Sequence, residues 1–242
     1  GGHAMAILEK LTKNGKLIGI DLDPYALKYT QKRLSSIQAY YSLHHGNFRE
    51  YPNILNKLDI KELTGILFDL GSSSSQINAG HRGFSFQHNA PLDMRFNPGT
   101  GMSVCEYLNT SDAGEIGATI YHYGEERHYR KIARTICEAS GRGKMNTTFE
   151  LKQAIERVVN PRFLTKSLAR VFQAVRIKIN DELGAIQQAL KKSAHWLKVG
   201  GRIAIISFHS LEDKIVKQFF IDSSVSCVCP PEFPICMCDT VP

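Results

Sequence analysis

The sequence predicts an α/β protein with a largely parallel sheet, interrupted in its middle by an all-helical segment. Three observations carry this. Short apolar runs alternate with helical stretches through the first third and again near the end; the alternation stops between about Ser103 and Leu168; and several apolar runs end in a polar residue.

Residues Ala4 to Leu11 read as a helix, Lys16 to Asp21 as a buried strand, and Pro24 to Ser35 as a helix with proline in its first turn. Tyr40 to His45 reads as a second strand and Leu63 to Asp69 as a third, more apolar one. In the middle, polar helical segments such as Asp112 to Tyr121, Glu125 to Ser140 and Thr148 to Val159 are broken at Gly141-Arg142-Gly143 and Asn160-Pro161. Phe172, Val175, Ile179, Leu183, Ile186 and Leu190 then recur at spacings of three and four, one apolar stripe on a long helix or a pair of helices ending near Trp196. Gly200-Gly201 reads as its stop, Arg202 to Phe208 as a central strand and Leu211 to Phe220 as a helix. The core is therefore placed at 1-103 and 169-242, and the helical insertion at 104-168.

Of 242 residues, 43% are hydrophobic and 22% charged, with a formal charge of +7, the composition of a globular protein whose basic balance suits a polyanionic partner. No run reaches the ~18 apolar residues that would span a bilayer. The chain starts at Gly1 without an initiator Met and stops at Pro242, so a fragment lacking residues at both ends is expected. Of the six cysteines, Cys105 and Cys137 read as small buried apolar residues. Cys227, Cys229, Cys236 and Cys238 are compatible with a tetrahedral Zn²⁺ site, although their C-x-C spacing is tighter than the usual finger pattern, or with a hairpin of free thiols.

In a doubly wound sheet, ligands bind at the carboxyl ends of the strands. Asp21, Asp69 and Ser207 stand at such ends. Asp21 lies at about the distance beyond Gly2 at which a nucleotide fold sets an acid on ribose hydroxyls; a carboxylate can accept both hydrogen bonds of a vicinal diol. An Asp before Pro24 also serves as a helix cap. Asp69-Leu70-Gly71-Ser72-Ser73-Ser74-Ser75-Gln76 puts many hydrogen-bonding groups at one edge, with a Ser-rich linker as the alternative. The long loop after it carries Arg82-Gly83-Phe84-Ser85-Phe86 and Pro91-Leu92-Asp93-Met94-Arg95, where arginine can pair with phosphate and aromatic rings can stack on an unpaired base. Arg127, Arg130 and Arg134 share a helical face and either line an RNA path or form a solvated stripe.

With Gly1-Gly2-His3, Ile20-Asp21-x-Asp23-Pro24, Tyr123-Gly124-Glu125-Glu126, Phe172-Gln173-Ala174-Val175-Arg176-Ile177 and Ser207-Phe208-His209-Ser210-Leu211-Glu212-Asp213, these motifs resemble the MraW/RsmH family over nearly the whole chain. That family comprises S-adenosylmethionine-dependent methyltransferases acting on the exocyclic N4 of a cytosine in the decoding region of small-subunit (16S) ribosomal RNA. The resemblance implies a Rossmann-like class I methyltransferase core with an all-helical substrate-recognition insertion. It also implies a strand and glycine loop ahead of Gly1 and a basic tail after Pro242.

Cofactor contacts are implied at Gly1, Gly2, His3, Asp21, Phe48, Asp69 and Gln76. Catalytic candidates are Asp69, or a backbone carbonyl at Leu70 to Ser72, as acceptor at the amine, and Asp93 or His209, or else water, as proton acceptor. Two of these have structural alternatives: Asp93 can pair with Arg95 or Arg82, and His209 can cap the helix near Ser210. Arg82, Phe84, Arg95 and Arg176 are the substrate-binding candidates. The implied partner is small-subunit rRNA or a partly assembled small subunit, with no membrane, for a cytoplasmic protein (organellar if eukaryotic) acting as monomer or homodimer. The rival reading is a non-catalytic rRNA-binding assembly factor that retains the fold. A DNA amino-methyltransferase usually carries Asp/Asn-Pro-Pro-Tyr/Phe where this chain has Asp69-Leu70-Gly71-Ser72, which argues against that class.

Overall fold

The computed structural model describes residues 1–73, 76–77, 80–224 and 229. In chain order its elements are α1 (Gly2–Leu8), β1 (Lys16–Asp21), α2 (Pro24–Leu34), β2 (Tyr40–His45), α3 (Tyr51–Lys57), β3 (Leu63–Asp69), α4 (Val104–Thr110), α5 (Ala113–Gly124), α6 (Tyr129–Ser140), α7 (Thr148–Glu156), α8 (Leu164–Asn180), α9 (Glu182–Trp196), β4 (Leu197–Ile206) and α10 (Ser210–Ser224). The chain divides into two compact units, Gly1–Phe48 with Ser72–Glu182 and Arg49–Gly71 with Leu183–Pro242.

In the first unit β1 and β2 pair in parallel, from Lys16 opposite Tyr40 to Asp21 opposite His45. Joining them is α2, which starts as its sequence dictates: Pro24 fixes the first helical φ, and the Asp23 carboxylate accepts the N–H of Tyr25. The rest of this unit is helical apart from the long loop that precedes α4. Ser103, Asp112 and Thr147 each form a capping box with a glutamate three residues on, which sets the first residues of α4, α5 and α7. Leu108, Ile116, Ile120, Ile136, Leu151 and Val171 are fully buried in the core those helices share with α8. Burying each such side chain contributes roughly 1.5–3 kcal/mol. On α6, Ile132, Ala133, Ile136 and Ala139 face inward while Arg130, Lys131 and Arg134 are exposed.

The second unit is built on a parallel pair, β3 with β4, which starts at Leu63 opposite Leu197, shifts register before Gly65, and then runs from Gly65 opposite Arg202 to Asp69 opposite Ile206. Buried Ile186 and Leu190 of α9 belong to this unit.

The three early strands start and stop where the apolar runs do. The apolar stripe takes the second of its two readings, a pair of helices, because Asp181 at φ 47° caps α8 in the left-handed conformation. Other expectations shift. Gly200-Gly201 is no helix stop; α9 passes at Trp196 straight into β4, which begins five residues before the expected Arg202. The strands expected to be buried are mostly half-buried, with Phe68 the buried residue of β3. Among the described residues each strand pairs along one edge only.

Candidate functional site

At the carboxyl end of β1, Asp21 is exposed and takes the backbone N–H of Asp23 on its Oδ1 at 2.8 Å. Desolvation by the surrounding protein pushes its carboxyl above the usual value; the N–H groups of Asp23 and Leu22 oppose this, and the Asp23 carboxylate adds to it. Beside it, Gly46 N–H donates to the Asp21 carbonyl at 3.0 Å. Gly2 and Gly46 both face open space where a side chain would stand, whereas Gly1 lies against Thr30 too tightly for a Cβ. His3 is exposed in the first turn of α1, and Phe48 is half-buried at the start of a single 3-10 turn.

Asp23 entered the sequence reading only as a motif residue and a helix cap, and its wider role was missed. It is 2% exposed, and its Oδ2 receives the Arg82 guanidinium and, at 2.8 Å, the Gln76 amide. Gln76 in turn accepts the Ser73 N–H at 2.8 Å on its Oε1. Arg82 is 8% exposed; its second terminal nitrogen donates to the carbonyls of Arg95 (2.7 Å) and Phe96 (2.9 Å), and its plane lies near the rings of Tyr25 and Phe84. A substrate-binding candidate thus stands as a clasp that ties the cap of α2 to the long loop. The signal was present in Asp-x-Asp-Pro, where the second Asp sits directly before the helix proline.

The loop is fastened at further points. Asn180 of α8 accepts the Phe96 N–H at 2.8 Å and donates to the Met94 carbonyl at 2.8 Å. Gly83 has φ 76°, and a Cβ there would lie 2.3 Å from the Pro91 carbonyl. Phe84 stacks on Phe96 at 5.8 Å, and Phe86 meets Phe172 edge-on at 5.4 Å. Asp93 holds Arg95 through two side-chain bonds of 2.9 and 2.7 Å and also accepts its backbone N–H at 3.0 Å. Burial would raise the Asp93 carboxyl, but these donors and the charges of Arg95 and Arg82 outweigh it and hold the carboxyl below the usual range. Arg176 makes a bidentate pair with Glu182 (2.8 and 3.0 Å) and reaches the Ser72 hydroxyl at 3.0 Å.

In the second unit, Asp69 stands exposed at the carboxyl end of β3, and Leu70 N–H continues the ladder to the Ile206 carbonyl at 3.1 Å. The chain after β4 turns there into α10. Glu212, fully buried, accepts the Phe208 N–H at 2.8 Å; its N–H lies 3.4 Å from His209 Nδ1, and its Oε1 lies 3.3 Å from Nε2. His209 therefore caps α10, both ring nitrogens facing Glu212 of the same turn. Glu212 stands three residues beyond its cap, the capping-box spacing, and that was the signal for it.

Of the sequence-predicted residues, the first unit holds Asp21 at the edge of β1 and gathers Gln76 and Arg82 on Asp23; Arg95 pairs with Asp93, and Arg176 of α8 pairs with Glu182 and reaches Ser72. Asp69 and His209 belong to the second unit. Cys105 and Cys137 are half-buried against the helical core, and burial raises both thiols. Cys229 is half-buried, while Cys227, Cys236 and Cys238, like Ser74 and Ser75 of the serine run, lie outside the described residues. No helix among the described residues is long and apolar enough to cross a membrane.

Comparison with known proteins agrees with the motifs. The sequence profile of the MraW methylase family matches residues 1–242. Proteins called ribosomal RNA small subunit methyltransferase H are similar: that of Syntrophotalea carbinolica is 43% identical over 245 residues, covering 100% of this chain and 78% of the relative. Those of Heliobacterium modesticaldum and Fusobacterium nucleatum are 41% and 40% identical, cover 100% of this chain, and are themselves covered over 79% and 77% of their lengths. The chain belongs to the MraW methylase family.

Proposed function

We propose that the protein transfers a methyl group from S-adenosylmethionine to the exocyclic N4 of a cytosine in the decoding region of small-subunit rRNA, on a Rossmann-like core whose helical insertion at 104-168 recognises the RNA. The observation that carries this reading is that Asp21 and Asp69 are each presented, exposed, at the carboxyl edge of a parallel strand pair. The names of the relatives support ribosomal RNA as the substrate class.

The residues fit the cofactor. Open space over Gly2 and Gly46 lets a ligand approach the backbone at the edge where Asp21 stands. Asp21 would accept the ribose hydroxyls, Phe48 would lie against adenine, and Gly1, Gly2, His3, Gln76 and Asp69 would line the methionyl part. When bound, S-adenosylmethionine supplies an electrophilic methyl group on a sulfonium.

Cytosine N4 is a weak nucleophile because its lone pair is delocalised into the ring, so holding the amine in line is the main demand. Asp69 would accept one of its N–H groups. Positive charge grows on N4 as it attacks, so this acceptor favours the transition state over the ground state. Asp93, engaged by Arg95, would fix the loop, and His209, engaged by Glu212, the turn after β4, each within its own unit; the departing proton of the amine would go to water. Phe84 and Arg95 would hold the RNA from the loop, Arg82 would hold the loop itself, and Arg176 would take a phosphate only by leaving Glu182.

The test is methyl transfer from labelled S-adenosylmethionine to purified small subunits lacking the modification, read by nucleoside mass spectrometry. N4-methylcytidine is expected with the native chain, and at least ~100-fold less with Asp69→Ala. Cofactor binding without methylated cytidine would overturn the target, and absence of cofactor binding would favour the assembly-factor reading.

A further inference from the structure

We infer that Phe208 is a stacking platform for an unpaired pyrimidine base, held in place by the buried carboxylate of Glu212. The inference rests on the rRNA reading and adds a residue to it.

Phe208 is 67% exposed, the largest exposure of any aromatic side chain among the described residues. Its position distinguishes it from surface aromatics elsewhere. It follows β4 by two residues, and its Cδ2 lies 3.4 Å from where a Cβ of Gly71 would be, so one side of the ring rests on the turn that follows Asp69. An exposed phenyl ring at a strand edge gains nothing in water, and each base stacked on such a ring contributes roughly 1–3 kcal/mol.

The second observation is independent. Glu212 is 0% exposed, and a buried carboxylate is costly unless it is paired and hydrogen-bonded. Here it accepts the Phe208 N–H at 2.8 Å and faces His209 Nε2 at 3.3 Å. Its effect is to fix the backbone N–H of Phe208 at the base of the exposed ring and the imidazole of His209 beside it. A pre-set backbone under an exposed aromatic is what a base-stacking residue requires, because less freedom is lost on binding. Asp69, two residues before Gly71, supplies an acceptor for an exocyclic amine at the same strand edge. An extruded base of rRNA is the occupant that has both a π face and such an amine.

The test uses the native chain and Phe208→Leu, Phe208→Tyr and Phe208→Trp. Because the ring is exposed, all three should keep the native thermal midpoint. Binding is measured with single-stranded oligocytidylate and with a ribose-phosphate strand of equal length lacking bases, and methyl transfer with unmodified small subunits.

We expect about tenfold weaker oligocytidylate binding for Phe208→Leu and near-native binding for Phe208→Tyr. The indole that Phe208→Trp adds to the native Trp196 should have its fluorescence quenched by oligocytidylate but not by the base-free strand. Glu212→Ala should weaken binding with Phe208 intact, and Glu212→Gln, which keeps an acceptor, should restore part of it. Native-like binding and transfer by Phe208→Leu, or unquenched fluorescence on saturation, would overturn the inference while the methyltransferase reading stands. A native chain that methylates no small subunit would overturn that reading first.

Discussion

Arg82 shows how a residue's role follows from what surrounds it. Asp23 is buried, and a buried charge left without its partner destabilises by about 3–5 kcal/mol. Arg82→Ala should therefore lower the thermal midpoint sharply, whereas a residue whose only role is RNA contact would lose affinity at constant stability; calorimetry beside RNA binding separates the two. Asp93 is expected to show its role through pH. Its carboxyl is held below the unfolded value of about 4, so its pair with Arg95 stabilises the fold above that pH. The contribution is lost as pH falls through the folded value. The stability difference between the native chain and Asp93→Asn, of about 1 kcal/mol at neutral pH, should thus shrink on acidification below a pH of about 4, as read by melting temperature.

Elements with strong local signals were legible and elements set by packing were not. The three early strands are short apolar runs between turns, and α4, α5 and α7 start at Ser, Asp or Thr followed three residues later by Glu, so local chemistry fixes their ends. By contrast, nothing in the apolar stripe marks the break at Asp181, which only the left-handed cap reveals. The start of β4 at Leu197 was hidden for a related reason: Gly200 and Gly201 are turn residues and stay so, Gly200 at φ 80°, in the register shift between Leu197 and Arg202, and pairing with β3 on both sides of that irregularity makes one strand of the whole. Gly124 shows the same dependence on a neighbour. A Cβ there would sit 2.7 Å from the Arg170 carbonyl, so the end of α5 approaches the backbone of α8 more closely than any side chain allows. Gly124→Ala, normally favourable in a helix, should destabilise by roughly 1–3 kcal/mol, measurable by urea unfolding.

At the scale of the molecule, the net charge of +7 becomes specific through exposed cations with no ion pair among the described residues, among them Arg130 and Arg134 on α6. Arg130→Glu with Arg134→Glu should weaken rRNA binding and reduce the slope of log affinity against log salt by about 1–2, leaving S-adenosylmethionine binding intact; an unchanged slope would mark the pair as a solvated stripe.

The sequence by itself determined the α/β class, the strand ends that carry Asp21 and Asp69, and the family, because these depend on local periodicity and on motif order along the chain. The tertiary structure decided which charged residues are spoken for. Arg82 is taken by Asp23, Arg95 by Asp93, Arg176 by Glu182 and His209 by Glu212. Such partners cannot be read from spacing when folding joins residues as far apart as Asp23 and Arg82. Burial turns the contacts on Asp23, Glu182 and Glu212 from weak surface attractions into fixed parts of the fold, while the part-exposed Asp93 pair contributes less.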